Sequence, residues 1–356
     1  MALPFVKSAS QKRDGLIAID LGGKTTKAIE VRKSGDRFVL KSFALMDAPT
    51  AENGNTVEVL SDHLKTLCHA LAPKTRSTAL ALNVNDAIVR YAEMPQIPIG
   101  DMRQLLKNNS KQFLQQDLPD HVFDCFITAG RFVSKPADKP AVPVSPKMRV
   151  LVAGAPGKRI EDSHQALKSA GLTPDSVVPG LIGPLNAFEM ALPEVFAKES
   201  VALVDIGFHS TSICLLQEGE LVLSRVVAIG GDKLTSGLAE AMGISYAEAE
   251  GIKIGIPAEV QNCLEPLITP LARELRASID CFEHQQDRTI TQVFLSGASA
   301  RSEFITQALQ AELMLECKPW NPISFMDLAL SPEQAAGIDQ VAQQLTVAVG
   351  AALAAY

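Results

Sequence analysis

The cysteines of this chain carry no pairing signature. The six, at positions 68, 125, 214, 263, 281 and 317, include no Cys-x-x-Cys spacing and no regular repeat, which excludes a disulfide framework and the common zinc modules. Cys125 and Cys214 stand inside apolar, strand-like runs, so the expectation is reduced, mostly buried thiols in a cytosolic setting. The six histidines are equally scattered and suggest no metal site. No block of like charge occurs, because the net charge of −7 is spread along the chain; that gives no electrostatic reason to expect nucleic acid as a partner. Also missing is any apolar run long enough to cross a bilayer, and the first ten residues lack the apolar core of a signal peptide. The apolar stretch Leu345 to Tyr356 is short and rich in alanine and glycine, which reads as a buried final helix. Membrane association is therefore expected to come through a partner.

What is present is an ordinary globular composition, 47% hydrophobic and 21% charged over 356 residues, enough for two domains with separate cores. One pattern occurs twice. Leu16 to Gly22 is an apolar strand ending in Asp20-Leu21-Gly22; polar residues 23–26 follow, then an apolar stretch, a turn at Ser34-Gly35 and a strand from Phe38 to Phe43. Val201 to Gly207 ends in Asp205-Ile206-Gly207; polar residues 209–212 follow, then Ile213 to Leu216, a turn at Glu218-Gly219 and a strand from Leu221 to Val227. Each copy predicts a three-strand meander opened by a tight polar turn, and the duplication predicts a fold of two similar halves.

Other segments alternate strand and helix. Helices are predicted over 57–72, 101–116, 159–170 and 303–313, and strands over 78–84, 88–91, 122–128 and 148–153. Residues 131–147 hold four prolines and three lysines and read as a solvated hairpin loop. The fold class is α/β. The division expected is a flexible tail over 1–14, a first half over 15–100 completed by 175–204 and 340–356, a small lobe inserted at 101–174, and a second half over 205–339 with a helical lobe at 232–290.

The two turns have the makings of a triphosphate site, which needs close backbone N–H donors, a cation, and carboxylates to hold Mg²⁺. Gly22, Gly23 and Gly207 allow close approach; Thr25, Thr26, Ser210 and Thr211 add hydroxyls; Lys27 and its neighbour Lys24 bring positive charge. Asp20 and Asp205, each at a strand end, suit a Mg²⁺ ion held largely through water. Three further glycine-rich elements follow in order: Ala228-Ile229-Gly230-Gly231, then Phe294 to Ser299 with Gly297, Ala298 and Ser299, then Val347 to Ala352. Taken singly, each turn or glycine pair is an everyday helix cap or packing contact.

Their order resembles the superfamily of actin, the sugar kinases and the heat-shock chaperone ATPases. The resemblance implies an actin-like, duplicated ribonuclease-H-like two-lobed ATPase fold that binds ATP and Mg²⁺. It casts 20–27 and 205–211 as phosphate loops, Gly230-Gly231 and 347–352 as interdomain connections, and 294–299 as the adenosine loop. A closer likeness, over nearly the whole chain after residue 14, is to the FtsA/PilM branch, and to the PilM family of type IV pilus assembly proteins in particular. Tyr246 to Lys253 looks like the Ala-Glu-x-x-Lys helix of that branch, which makes Glu250 and Lys253 candidates for facing the adenosine. Glu93 to Pro98 looks like the entry to the family's inserted lobe, and Pro319-Trp320-Asn321-Pro322 like its Asn-Pro turn.

By this resemblance the chain is expected to be a cytoplasmic adaptor, peripheral to the inner membrane, which binds the N-terminal cytoplasmic tail of a PilN-like protein. Two departures stand out. Ala298 replaces a frequent glycine, and Val177 to Ile182 offers no acid or amide where relatives place one. Turnover is therefore expected to be slow or absent; no catalytic residue is assigned, and His209 is the substitute within reach. The alternatives are a sugar or small-molecule kinase, for which no Asn-Asp or clustered-cysteine signature is found, and an FtsA-like division filament protein, for which no terminal amphipathic membrane helix is found.

Overall fold

The structure is a computed structural model that describes residues 6–7, 14–49, 56–127, 147–255 and 260–356. In chain order the first half contributes β1 (Val6–Lys7), β2 (Gly15–Leu21), β3 (Thr25–Ser34), β4 (Arg37–Asp47), α1 (Val57–Leu71) and β5 (Ser77–Leu82). A small lobe follows, made of β6 (Ile88–Pro95), α2 (Ile99–Leu114), β7 (His121–Ile127) and β8 (Lys147–Pro156). The chain returns through α3 (Gly157–Ser169), β9 (Thr173–Pro179), α4 (Gly183–Ala191) and α5 (Pro193–Lys198). The second half is β10 (Ser200–Ile206), β11 (Thr211–Gln217), β12 (Glu220–Val227), α6 (Gly231–Met242), α7 (Tyr246–Gly255), α8 (Gln261–Gln286), β13 (Gln292–Ser296), α9 (Glu303–Leu313) and β14 (Glu316–Pro319). Last come β15 (Asp327–Leu328), α10 (Pro332–Val341) and α11 (Thr346–Ala355).

The sequence duplication is a duplication of topology. The first sheet contains the order β9-β5-β2-β3-β4 and the second the order β14-β13-β10-β11-β12. In each, the Asp-x-Gly strand pairs antiparallel with the strand after its turn and parallel with a later one. Central strands bury both faces, so they are continuous apolar runs; Leu16, Ile17, Ala18 and Ile19 of β2 have no exposure at all. The second hairpin turns through Glu218 (φ 46°) and Gly219 (φ 85°), two left-handed residues of the kind a tight hairpin needs.

The helices are set by their apolar stripes. In α1, Leu60, Leu64, Leu67 and Leu71 fall on one buried face, and Thr56 caps the start by accepting from the Val59 N–H. Helix α11 is apolar all round and buried throughout most of its length, because it threads between other elements rather than lying on the surface. It crosses α4 with backbones in contact: a Cβ placed on Gly350 would fall 1.9 Å from the Gly183 carbonyl oxygen, so only glycine fits there. Asn186 Nδ2 donates to the Gly350 carbonyl at the same crossing (3.2 Å). Phe188 of α4 meets Phe294 of β13 and Trp320 edge-on, at 4.8 and 5.2 Å, which joins the two halves through a continuous core.

The boundaries differ from those read in the sequence. Within the expected tail, Val6–Lys7 is a strand paired antiparallel with β9. The small three-stranded sheet, ordered β6-β8-β7, takes in Ile88–Pro95 and so begins ahead of residue 101. Helix α3, expected inside the insertion, packs instead behind the first sheet, where Ala166 and Leu167 join Leu60, Leu64 and Leu67 of α1. The second sheet begins with β10 at Ser200, ahead of residue 205. The loop expected over 131–147 lies, save for its last residue, outside the described residues.

Candidate functional site

The two Asp-x-Gly turns open onto one cleft between the halves. Strand pairing explains how each side chain gets there. Asp20 stands opposite Lys27 across the β2–β3 ladder, and the Lys27 ammonium meets the Asp20 carboxylate at 3.0 Å, an opposite-charge cross-strand pair. In the second half Asp205 stands opposite Ser212 on β11 and beside Ser296 on parallel β13; it accepts a hydrogen bond of 2.7 Å from the Ser296 hydroxyl. Burial pushes the Asp205 carboxyl pKa up, as does the negative Asp20, while the Ser296 hydrogen bond and the positive Lys27 pull it down; burial wins. Both carboxylates line the same cleft.

A second polar cluster lies where α6 and α7 meet. Glu250 accepts from Thr235 Oγ1 (2.5 Å) and Lys253 Nζ (2.8 Å) through one carboxylate oxygen, and from Lys24 Nζ (3.1 Å) through the other. Burial alone would raise the Glu250 pKa, but the hydrogen bonds from Lys253, Thr235 and Lys24 outweigh it and bring the group down to about 2. Lys253 is buried and spends all three donors, on Glu250, on Thr235 Oγ1 (2.7 Å) and on the Gly231 carbonyl (3.2 Å). The Lys24 ammonium also lies 5.5 Å from the centre of the Phe208 ring, within cation–π reach. Beside it the two turns touch: a Cβ on Gly23 would fall 2.7 Å from Cδ2 of His209.

Of the residues singled out in the sequence, Asp20, Gly22, Gly23, Lys24, Thr25, Lys27, Asp205, Gly207, Ser210, Gly231, Glu250, Lys253, Gly297, Ala298 and Ser299 line this cleft. Three do not. Thr26 lies between Thr25 and Lys27 on β3 and so points to the opposite face of the sheet, where its hydroxyl is 2.8 Å from Nε2 of His63 on α1. Thr211 is fully buried with its hydroxyl given to the Ile229 carbonyl (2.6 Å). Gly230 is pressed under the Phe208 carbonyl, 2.3 Å from where a Cβ would stand, and serves the turn's packing.

The cleft also takes in Leu82, Asn83, Val84, Phe208, Ser212 and Gln344, which the sequence reading did not single out. The signal for Asn83 was available: it follows β5, a parallel neighbour of β2, and sites in α/β sheets gather at the carboxyl ends of parallel strands. From the apolar segment 177–182 only Gly180 reaches the cleft. Gly297 (φ 88°) begins the small-residue loop with its Cα against the Ile206 backbone, a conformation and a contact that both require glycine.

The residues suit a nucleotide with a water-rich magnesium ion. Among the described residues no three metal-ligating side chains converge, so a divalent ion at Asp20 and Asp205 would keep most of its coordination for water and phosphate, as Mg²⁺ prefers. The lysines in the cleft are matched by carboxylates, Lys27 with Asp20 and both Lys24 and Lys253 with Glu250. A phosphate entering between the turns would compete for Lys24 and Lys27 with these carboxylates.

The family profile of the type IV pilus assembly protein PilM matches residues 18–356. A solved PilM–PilN type IV pilus biogenesis complex superposes with a TM-score of 0.79 at 21% identity, covering 97% of this chain and 100% of that one. MreB5 of Spiroplasma citri bound to ADP superposes with a TM-score of 0.51 at 13% identity, covering 96% of each chain. Cell division protein FtsA of Bacillus subtilis is 22% identical over 255 residues, 67% of this chain; the chain spans 57% of that relative's length. The fold is thus the actin-like one, with an inserted small lobe.

Proposed function

The chain belongs to the PilM family of type IV pilus assembly proteins, and on that premise we propose that it is an ATP-binding adaptor of the pilus assembly platform. The observation that carries the reading is the convergence of two matched turns, one from each half, on a single cleft lined by Asp20, Lys24, Lys27 and Asp205. In this reading the turns 20–27 and 205–211 hold the phosphates, and Asp20 and Asp205 hold Mg²⁺ through its waters. Glu250, Lys253 and the loop Gly297-Ala298-Ser299 take the adenosine. Bound ATP supplies the charge and contacts that set the angle between the halves, and hydrolysis is slow because no cleft carboxylate is free to act on water.

The proposed partner is the N-terminal cytoplasmic tail of a PilN-like inner-membrane protein, by analogy with the solved PilM–PilN complex. Among the described residues no helix is long and apolar enough to cross a membrane, so the partner is the proposed route to the inner membrane. The small lobe, whose strands and α2 carry no residue of the cleft, is the proposed region for capture. Calorimetric titration of a synthetic PilN-type tail peptide into the protein, with and without Mg-ATP, tests both claims. Heat from the peptide and from Mg-ATP supports them; silence from the peptide sinks the adaptor role, and silence from every nucleotide sinks the cleft assignment.

A further inference from the structure

The small lobe leaves and rejoins the first half at two places close together, and both are tied. On the way out, residues 83–86 form a tight turn in which the Asn85 N–H donates to Asn83 Oδ1 (3.1 Å) and the Asp86 N–H to the Asn83 carbonyl (2.9 Å). On the way back, Arg159 at the start of α3 pairs with Asp86 at 3.4 Å. The turn therefore closes the base of the lobe. It also borders the cleft, since Asn83 lines it.

The same turn reaches the other half. Asn85 Nδ2 donates to the hydroxyl of Ser210, in the second Asp-x-Gly turn, at 3.3 Å. Four residues further on, the Val89 carbonyl of β6 accepts from the Ser224 hydroxyl of β12 at 2.9 Å. Ser210 immediately precedes β11, and Ser224 stands opposite Cys214 in the β11–β12 ladder. The β11–β12 hairpin and the turn before it thus meet the outgoing segment of the small lobe at two points, Asn85 and Val89.

We propose that Asn85 is a positioning residue that couples occupancy of the second phosphate turn to the order of the small lobe, through its hydrogen bond to Ser210. The inference rests on the nucleotide reading of the cleft. An anion that draws the Ser210 turn inward pulls Asn85, and with it the Asp86–Arg159 clasp and β6. Asn85 itself stands outside the cleft lining, so its loss separates coupling from binding.

Hydrogen–deuterium exchange on the full chain, with Mg²⁺ and saturating non-hydrolysable ATP analogue, provides the test. In the wild type the analogue should slow exchange at 20–27 and 205–211, and also in β6 and α2. A single hydrogen bond contributes a net factor of roughly 2–10 to a local opening equilibrium, and that is the size of change expected in the lobe. Asn85→Ala should keep the protection at both turns and lose it in β6 and α2. Ser210→Ala, which breaks the same bond from the other side, should lose it too at saturating analogue, whereas a purely local role for Asn85 in its own turn would leave Ser210→Ala unaffected. Protection of the lobe that survives both substitutions overturns the coupling, as does a wild-type lobe that ignores the analogue while the turns respond. A wild type with no protection at either turn overturns the nucleotide reading itself, and the coupling with it.

Discussion

Lys24, in the turn after β2, and Glu250, on α7 of the other half, form an ion pair of 3.1 Å across the cleft. The pair joins the first phosphate-type turn to the adenosine-side helix, so it reports the distance between the halves. Lys24 is well exposed, and exposed pairs contribute only about 0.2–1 kcal/mol to stability. Charge-assisted hydrogen bonds to a phosphate are worth more, about 1.5–3 kcal/mol. Lys24→Met should therefore leave the urea midpoint nearly unchanged while raising the Kd for Mg-ATP by roughly 10–100-fold. An unaltered Kd in a calorimetric titration would remove Lys24 from the phosphate site.

Glu250 gives the cluster a pH signature. Its folded pKa, about 2, lies below the ordinary 4.5, so its contribution is fully present above the unfolded value and is lost as pH falls from 4.5 through 2. The contribution is on the order of 2 kcal/mol once screening by nearby solvent is allowed for. Thermal melts of wild type and Glu250→Gln, each run between pH 6 and pH 3, should differ most at pH 6 and converge toward acid. Parallel curves would show that the carboxylate is not held by its three donors.

The duplicated meander was legible because strand-ending Asp-x-Gly turns and glycine hairpins are local signals, and both copies lie in sheets of the same order. Most of the cleft was legible for the same reason. What failed was local orientation. Thr26 and Thr211 look like phosphate-loop hydroxyls in a string of letters, yet strand alternation turns one to α1 and a backbone carbonyl claims the other. The lobe boundary was misplaced because β6 earns its place only by pairing with β8, over fifty residues later, and α3 reveals its neighbours only in three dimensions. Asn85 carries no motif; its meaning lies in a hydrogen bond to a residue more than a hundred positions away.

Asp205 should show a trade of stability against binding. Its carboxylate is desolvated enough to raise its pKa, which means the folded state bears part of the strain of a buried charge. Asp205→Asn keeps an acceptor for Ser296 and removes the charge, so the nucleotide-free protein should melt at the same temperature or higher. With nucleotide at a hundred times the wild-type Kd, the wild type should gain about 2.7 kcal/mol and the variant almost nothing. A full nucleotide-induced rise in the Tm of Asp205→Asn would argue that no magnesium anchor is needed there.

The crossing of α4 and α11 predicts opposite signs for two glycine substitutions. Gly→Ala within a helix gains about 0.5–1 kcal/mol from backbone entropy. At Gly337, in α10, a Cβ meets nothing within 4 Å, so Gly337→Ala should be stabilising by about that amount. At Gly350 the same Cβ would overlap the Gly183 carbonyl at 1.9 Å, and overpacking against backbone costs about 1–3 kcal/mol or more. Gly350→Ala should therefore be net destabilising, seen as a lower urea midpoint. Equal shifts for both variants would mean that the helices part easily and that the close crossing is not required.

Slow turnover is the expectation that the cleft's own geometry tests most directly. Hydrolysis needs a group that orients or deprotonates water within hydrogen-bond reach of the γ-phosphate. Asp20 is held by Lys27 and Asp205 by Ser296, and the apolar segment 177–182 brings only Gly180 to the cleft. His209 remains. Its ring lies against Gly23, with Nδ1 3.7 Å from the Asp232 carboxylate, which in turn accepts from the Tyr246 hydroxyl at 2.8 Å. That chain of contacts orients the ring from the α6 side, and over half of the His209 side chain is exposed to solvent rather than enclosed against a substrate. Steady-state phosphate release should stay well below the ~1–100 s⁻¹ of kinases, with or without a PilN-type tail peptide, and His209→Ala should change it by less than about tenfold, the lower end of general-base effects being a hundredfold. Several turnovers per second that vanish in His209→Ala would make His209 a general base and the protein an active ATPase.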